Sequence, residues 1–323
     1  MTIAPRYGAG HRVLVTGGAG FVGSHLVDAL LERGATVVAV DNFLTGSKDN
    51  VAHLSDNDRF TLVEADVSEP LPAHDALAER FDAILHFASP ASPVDFARLA
   101  MEIMRTGSVA TMHLLDRAVA DGARFLMAST SEAYGDPLVH PQPESYRGNV
   151  SSTGFRSVYD EAKRFSEAAV MAYHRYRGAD VAIVRIFNTY GERMRPDDGR
   201  AIPNFVNQAL RGEPITVHGT GAQTRSITYV GDLVRGVLLL LDSQEVGPIN
   251  CGTEYEMTMR ELAETIVRLT GSGSEVTFTQ QRGADDPEKR RPDLTLARTL
   301  LGYEPLVSAE DGLRRTIEYF RTR

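Results

Sequence analysis

Tyr159 and Lys163 stand four residues apart in Tyr159-Asp-Glu-Ala-Lys163. On a helix that spacing sets two side chains on one face, one turn apart. A phenol titrates at about 10 in water, too high for a base at neutral pH. A neighbouring ammonium and a cationic ring bound beside it would both favour phenolate and turn the tyrosine into an acid–base group. Alone, Tyr-x-x-x-Lys is a common solvated helix face. A second segment gives it meaning: Ala128-Ser-Thr130-Ser131-Glu132-Ala-Tyr-Gly135 reads as a strand end running into a turn. There Thr130 is placed to hydrogen-bond a substrate hydroxyl beside Tyr159, and Glu132 to move a proton or orient the substrate.

The oxidising partner for such chemistry is written near the N-terminus. Val13-Leu-Val-Thr-Gly17-Gly-Ala-Gly20-Phe21-Val22-Gly23 closes one expected strand and opens a helix. Glycines at i, i+3 and i+6 allow a tight turn and bring backbone amides close to a pyrophosphate at the positive end of the helix. Asp41 ends the next expected strand, where a carboxylate accepts hydrogen bonds from ribose hydroxyls. The same charge repels a 2′-phosphate, so NAD is expected rather than NADP.

Holding these groups together requires a particular set of elements. Apolar, β-branched runs at 12–16, 36–41, 60–64, 83–87, 124–128 and 181–187 alternate with helical patterns at 21–33, 108–121 and 157–176. Continuous apolar strands separated by helices indicate a parallel sheet covered on both faces. The expected class is α/β: a Rossmann-type doubly wound parallel sheet with a smaller C-terminal substrate domain. After Asn188 the rhythm weakens and Pro, Gly and Arg become frequent at 194–200 and 282–292, with helices expected at 203–210, 231–241, 259–270 and 310–320. Residues 1–188 therefore read as the cofactor domain and 189–323 as the substrate domain, with 225–252 returning to the first.

Composition narrows the partners. The 323 residues are 42% hydrophobic and 24% charged, ordinary for a globular chain with a sizeable core. A net charge of −9 argues against nucleic-acid binding, which needs a basic footprint. A local arginine cluster can still hold an anionic substrate. No apolar stretch is long enough to span a membrane, and residues 1–11 lack the apolar core of a signal peptide. Cys251 is the one cysteine, so no intrachain disulfide can form and a cytoplasmic setting is expected. His86 and His218 have no ligand spacing with other candidates, so no metal is expected; Tyr173 and Tyr176 read as packing or interface residues.

The whole chain from Val13 onward resembles the UDP-glucuronic acid decarboxylases (UDP-xylose synthases) of the extended short-chain dehydrogenase/reductase family. The matching segments are Val40-Asp-Asn-Phe-Leu-Thr-Gly46, Ala88-Ser-Pro-Ala-Ser-Pro93, Ser129-Thr-Ser-Glu132, Tyr159-Asp-Glu-Ala-Lys163, Arg185-Ile-Phe-Asn-Thr-Tyr-Gly191, Gln223-Thr-Arg225 and Asp286-Pro-Glu-Lys-Arg290. The second and last are distinctive of the decarboxylases; the others are shared more widely. The resemblance implies decarboxylation of UDP-glucuronic acid to UDP-xylose with catalytic NAD. It implies catalytic roles for Thr130, Glu132, Tyr159, Lys163 and Arg290, and substrate contacts from Ser131, Asn188, Arg225 and Arg290. It adds Asn42, Thr45, Gly46, Asp66, Val67 and Ala88 to the cofactor residues, beside Tyr159 and Lys163. It also implies a homodimer built on the helices at 108–121 and 157–176. The chain departs from the family at Gly107, where Asn is usual after Thr106, at Ser151-Ser-Thr-Gly-Phe155, where Asn-Pro-Ile-Gly is usual, and around 96–101.

Three reactions begin alike, with oxidation of the sugar at C4′. A 4-epimerase returns the hydrogen to the other face, a 4,6-dehydratase expels the 6-hydroxyl, and a decarboxylase uses the ketone as an electron sink for loss of carbon dioxide. Related dehydratases carry an Asp where this chain has Ser131, and epimerases typically lack the Glu, so Thr130-Ser131-Glu132 resembles the decarboxylase triad. Arg290 suits a carboxylate as a bidentate partner but is too weak an acid to protonate carbon. The expected donor to C5′ is a water held by Arg290 and Glu132. An NAD-binding scaffold without activity is the non-enzyme alternative, since fold alone does not exclude it. The joint presence of Thr130, Tyr159 and Lys163 speaks against that alternative.

Overall fold

The structure, a computed structural model, describes residues 5–280 and 289–323. Six strands come from the first part of the chain: β1 (Arg12–Thr16), β2 (Thr36–Asp41), β3 (Phe60–Glu64), β4 (Ala83–His86), β5 (Arg124–Thr130) and β6 (Val181–Ile186). A seventh, Ile249–Cys251, joins them in one sheet whose order is Ile249–Cys251, β6, β5, β4, β1, β2, β3. All of its pairings are parallel. The strand order reverses at β1, which lies between β2 and β4. The crevice at the carboxyl ends of the strands flanking such a switch point is where open α/β sheets bind ligands.

The apolar runs are continuous because both faces are covered. Val13, Val15, Val37 and Ala39 pack into one core with Leu26 and Leu30 of α1 (Phe21–Glu32) and Leu233 and Val237 of the Val230–Asp242 helix. Leu14, Val38, Val40 and Phe125 face the opposite core, beneath Leu114 and Val170 of the Thr111–Asp121 and Ser157–Arg177 helices. Adjacent strand residues thus serve different cores, and each must be apolar.

The expected elements form, with shifted ends. β4 stops at His86, whereas β5 runs on through Ser129 and Thr130 to the edge of the crevice. The helix expected from 108 is more broken. A short helix at Ala100–Arg105 passes into a π-helical turn at Thr106–Ala110 before the α-helix begins at Thr111.

A third core, with Phe205, Ile215, Leu262, Ile266, Leu313 and Ile317, lies under the helices Ala201–Leu210, Met259–Thr270 and Ala309–Arg321. A reciprocal cap between Thr258 and Glu261 starts the second of these helices. Beside this core the Thr224–Ser226 strand pairs with Glu256–Thr258 on one side and Lys289–Arg290 on the other. That register seats Arg290 next to Arg225, 65 residues earlier in the chain.

Candidate active site

The turn from β1 into α1 is shaped by close backbone packing. Gly17 has a φ of +70°, and a Cβ there would sit 2.7 Å from the Ala88 amide nitrogen. A Cβ on Gly23 would lie 2.0 Å from the Gly17 carbonyl oxygen. α1 then begins with no capping side chain and no acidic residue in its first turn, so its leading amides remain available to an anion. Asp41 lies beside the glycine turn with both carboxylate oxygens anchored: Oδ2 accepts from the Ala19 amide at 3.0 Å and Oδ1 from the Phe43 amide at 2.8 Å. Burial raises its pKa, against the pull of those amides. Asn42 donates to Asp66 Oδ2 at 3.0 Å. Gly17, Gly20, Phe21, Val22, Gly23, Asp41, Asn42, Thr45, Gly46, Asp66, Val67, Ala88, Tyr159 and Lys163 all line this one cleft. Open helix amides at one end, a carboxylate beyond them and a Tyr–Lys pair at the other end fit a dinucleotide cofactor.

The Tyr–Lys pair sits where the expected strand end delivers it. Thr130 closes β5 and caps the following turn, its Oγ1 accepting from the Glu132 amide at 3.2 Å. It also hydrogen-bonds Tyr159. The Tyr159 ring stacks on Phe96 at 5.1 Å between centroids. Lys163 lies 5.7 Å from the Tyr159 ring centre and donates to the Ala128 carbonyl at 2.9 Å. Burial pushes the Tyr159 phenol up to about 12, with the Thr130 hydrogen bond working the other way. The same burial pushes Lys163 down to about 8. The chain alone therefore keeps Tyr159 protonated, and the Lys163 contribution expected from sequence does not overcome desolvation. Beneath Lys163, His86 exchanges a 2.8 Å hydrogen bond with Thr16; burial, then the Lys163 charge, push it down to about 3.

Glu132 is the centre of a second group. Arg290 chelates it, with Nη1 on Oε1 and Nη2 on Oε2 at 3.0 Å, and Nη2 also donates to the Gly135 carbonyl at 3.3 Å. Arg156 approaches Oε2 at 2.6 Å. Burial acts to raise the Glu132 pKa, but the two guanidiniums outweigh it and hold the carboxyl at about 2. The resemblance implies that Arg290 meets a substrate carboxylate; in the structure its fork is engaged by Glu132. The cleft that holds Glu132, Arg156 and Arg290 is also lined by Asn188, Arg225 and Arg200. Asn188 and Arg200 line the dinucleotide cleft as well, so the two clefts meet there. Ser131 is buried and lines neither. Residues 286–288 of the distinctive C-terminal motif lie outside the described residues.

Three residues escape the sequence reading. Arg156 precedes the Ser157–Arg177 helix with no motif around it, and only the fold brings it to Glu132. Arg200, fixed by Asp198 with Nη2 to Oδ2 at 2.8 Å, is signalled only by the stretch rich in Pro, Gly and Arg at 194–200. Asp160 is hidden between Tyr159 and Lys163 in the sequence, and it lines a cavity beside Glu132 that neither of those two lines. Among the described residues no group of three or more His, Cys, Asp or Glu side chains could hold a metal ion.

Comparison with known proteins agrees with this geometry. Residues 13–252 match the model of the NAD dependent epimerase/dehydratase family. UDP-glucuronic acid decarboxylase 2 of Arabidopsis thaliana is 51% identical over 314 residues, covering 97% of this chain and 69% of the relative. Among solved structures, dTDP-glucose 4,6-dehydratase from Streptomyces venezuelae, determined with NAD bound, superposes with a TM-score of 0.86 at 32% identity, covering 96% of this chain and 97% of its own. UDP-glucuronic acid 4-epimerase from Bacillus cereus, in complex with UDP-glucuronic acid and NAD, has a TM-score of 0.86 at 28% identity, covering 96% and 99%. The glycine turn, the acid at the end of β2, the Tyr–Lys helix and these matches agree: the chain belongs to the NAD dependent epimerase/dehydratase family.

Proposed function

We propose that this protein is an NAD-dependent carboxy-lyase that converts UDP-glucuronic acid to UDP-xylose through a 4-keto sugar. The observation that carries this reading is the Glu132 cluster, where two guanidiniums surround one carboxylate in the cleft that joins the dinucleotide cleft at Asn188 and Arg200. The surplus positive charge suits an anionic sugar, and the decarboxylase relatives supply its chemical class. Bound NAD supplies the oxidant at C4′ and the reductant for the closing step, so there is no net redox change. Gly17, Gly20, Phe21, Val22 and Gly23 hold its diphosphate, and Asp41 its adenosine ribose, with Asn42, Thr45, Gly46, Asp66, Val67 and Ala88 completing the cradle. Asn188 and Arg225 bind the substrate diphosphate.

Tyr159 takes the 4′-hydroxyl proton. Its pKa of about 12 in the chain alone makes this step depend on positive charge brought by the oxidised cofactor, with Thr130 and Lys163 assisting. The product is a β-keto acid, in which the ketone accepts the electron pair left by carbon dioxide. Arg290 and Arg156 supply the positive charge that draws the departing carboxylate, and Tyr159 returns its proton as the 4′-hydroxyl is restored. Ser131, buried and without acidity at neutral pH, offers no acid for expelling a 6-hydroxyl.

On this reading residues 1–188 with 225–252 carry the cofactor and 189–323 carry the sugar nucleotide. The molecule is a homodimer whose partner covers the exposed Met101, Met104, Met112 and Phe165 on the helices around the Tyr–Lys element. A single buried cysteine suits the reducing cytoplasm. Incubation with UDP-glucuronic acid and NAD, followed by mass spectrometry, tests the activity. Carbon dioxide with UDP-xylose supports it; an unchanged mass with inverted C4′ means an epimerase, loss of water a dehydratase, and untouched substrate sinks the proposal.

A further inference from the structure

Decarboxylation of a β-keto carboxylate leaves an enolate, and the pentose forms only when C5′ gains a proton that Tyr159 does not supply. Each turnover therefore takes one proton from solvent into a buried site. Glu132 is a poor store for it, because Arg290 and Arg156 hold it ionised. Behind Glu132 the structure contains a separate cavity, lined by Glu132, Arg156, Arg290, Asp160, Asn149 and Ser157. Asp160 occupies the first turn of the Ser157–Arg177 helix and is only 5% exposed. Its Oδ1 is buried with no hydrogen-bond partner among the described residues. An orphaned buried carboxylate oxygen is costly, and a proton on the group relieves that cost.

We propose that this cavity is the proton entry route for C5′ and that Asp160 is the positioning residue that carries the proton to Glu132. The inference rests on the decarboxylase reading. The Asp160 O–H bond breaks and its proton passes to Glu132 and on to C5′. There the enolate electron pair forms the C–H bond and the C4′ carbonyl is restored. Asp160 then takes a proton from solvent through the cavity. Its surroundings allow this at neutral pH. Burial, and then the negative charge of Glu132, push Asp160 up to about 7, with Glu161 acting in the same direction and Arg156 and Arg290 opposing. Asp136 is the remaining acidic group on the cavity wall.

The test is a single-turnover comparison of the parent enzyme, Asp160→Asn and Asp160→Glu on UDP-glucuronic acid, following carbon dioxide, UDP-xylose and reduced-nicotinamide absorbance from pH 6 to 9. In Asp160→Asn, carbon dioxide should appear at close to the parent rate while UDP-xylose lags by about tenfold or more, a modest share of a full acid–base contribution. Reduced-nicotinamide absorbance should persist during the lag, with KM little changed. In the parent, the UDP-xylose step should slow above about pH 7; this dependence should vanish in Asp160→Asn and return in Asp160→Glu. Carbon dioxide and UDP-xylose that stay in step in Asp160→Asn, whether both fast or both slow, overturn the relay and leave the decarboxylase intact. A parent enzyme that releases no carbon dioxide overturns the underlying reading and the relay together.

Discussion

Two side chains concentrate the chemistry: burial sets the state of Tyr159, and paired charge sets that of Glu132. Tyr159 gains rigidity from its stack on Phe96 and loses acidity by desolvation. Tyr159→Phe keeps the stack but removes the acid–base oxygen. Turnover should fall by roughly 10²–10⁴-fold, while calorimetry still records NAD binding. Glu132 is held by opposite charge, which predicts a different outcome. Glu132→Gln leaves Arg290, 3% exposed, without its counter-charge and should cost about 3–5 kcal/mol in urea unfolding. The sign with pH follows from the lowered folded pKa. The unfolded carboxyl binds protons first, so the stabilisation is full above about 4.5 and is lost as pH falls toward 2. The acid limb of the parent melting curve should therefore be steeper than that of Glu132→Gln.

The Tyr159 helix must approach its neighbour closely at the level of elements. The π-helical turn at Thr106–Ala110 meets the Ser157–Arg177 helix where Gly107 faces Ala162. Ser166 Oγ donates to the Gly107 carbonyl at 2.5 Å, so the contact is bonded as well as packed. A Cβ on residue 107 would stand 2.7 Å from the Ala162 Cβ and 3.0 Å from its carbonyl oxygen. Gly107→Asn should therefore push the two segments apart and cost about 1–3 kcal/mol by overpacking. Thermal melting measures that loss. A melting temperature equal to the parent's would mean that the turn relaxes freely and that close approach does not explain the glycine.

Across the whole molecule, the two cores of the sheet are closed by helices, but several large apolar side chains stay exposed on the helices around the Tyr–Lys element. Met101 and Met104 precede the π-helical turn, Met112 follows it and Phe165 lies on the Tyr159 helix, all exposed. Clustered exposed apolar side chains mark interaction surfaces more often than scattered ones. Met104→Glu with Phe165→Glu should convert the proposed dimer to monomer in light scattering without disturbing the buried Tyr159. A parent protein already monomeric at micromolar concentration would remove the dimer from the reading. No helix among the described residues is long and apolar enough to cross a membrane.

Much of this was legible in the linear order of residues, because it depends on local periodicity. Continuous apolar runs between helical patterns follow from strands covered on both faces, so the doubly wound sheet could be read before any pairing was known. The glycine spacing, Asp41 at a strand end and Tyr159 one turn from Lys163 are likewise short-range features, and the structure gathers them along one cleft. The tertiary structure decided what local spacing cannot encode. Glu132 and Arg290 are 158 residues apart, and their pairing depends on the register that lays Lys289–Arg290 beside Thr224–Ser226. Arg156 completes the cluster without a motif, Gly107 is explained only by the helix it touches, and the Asp160 carboxyl is pushed upward only by burial and the charge of Glu132. Desolvation and charge pairing act between atoms brought close in space, so the ionisation states of the site belong to the fold, while the positions of its strands, helices and phosphate turn belong to the sequence.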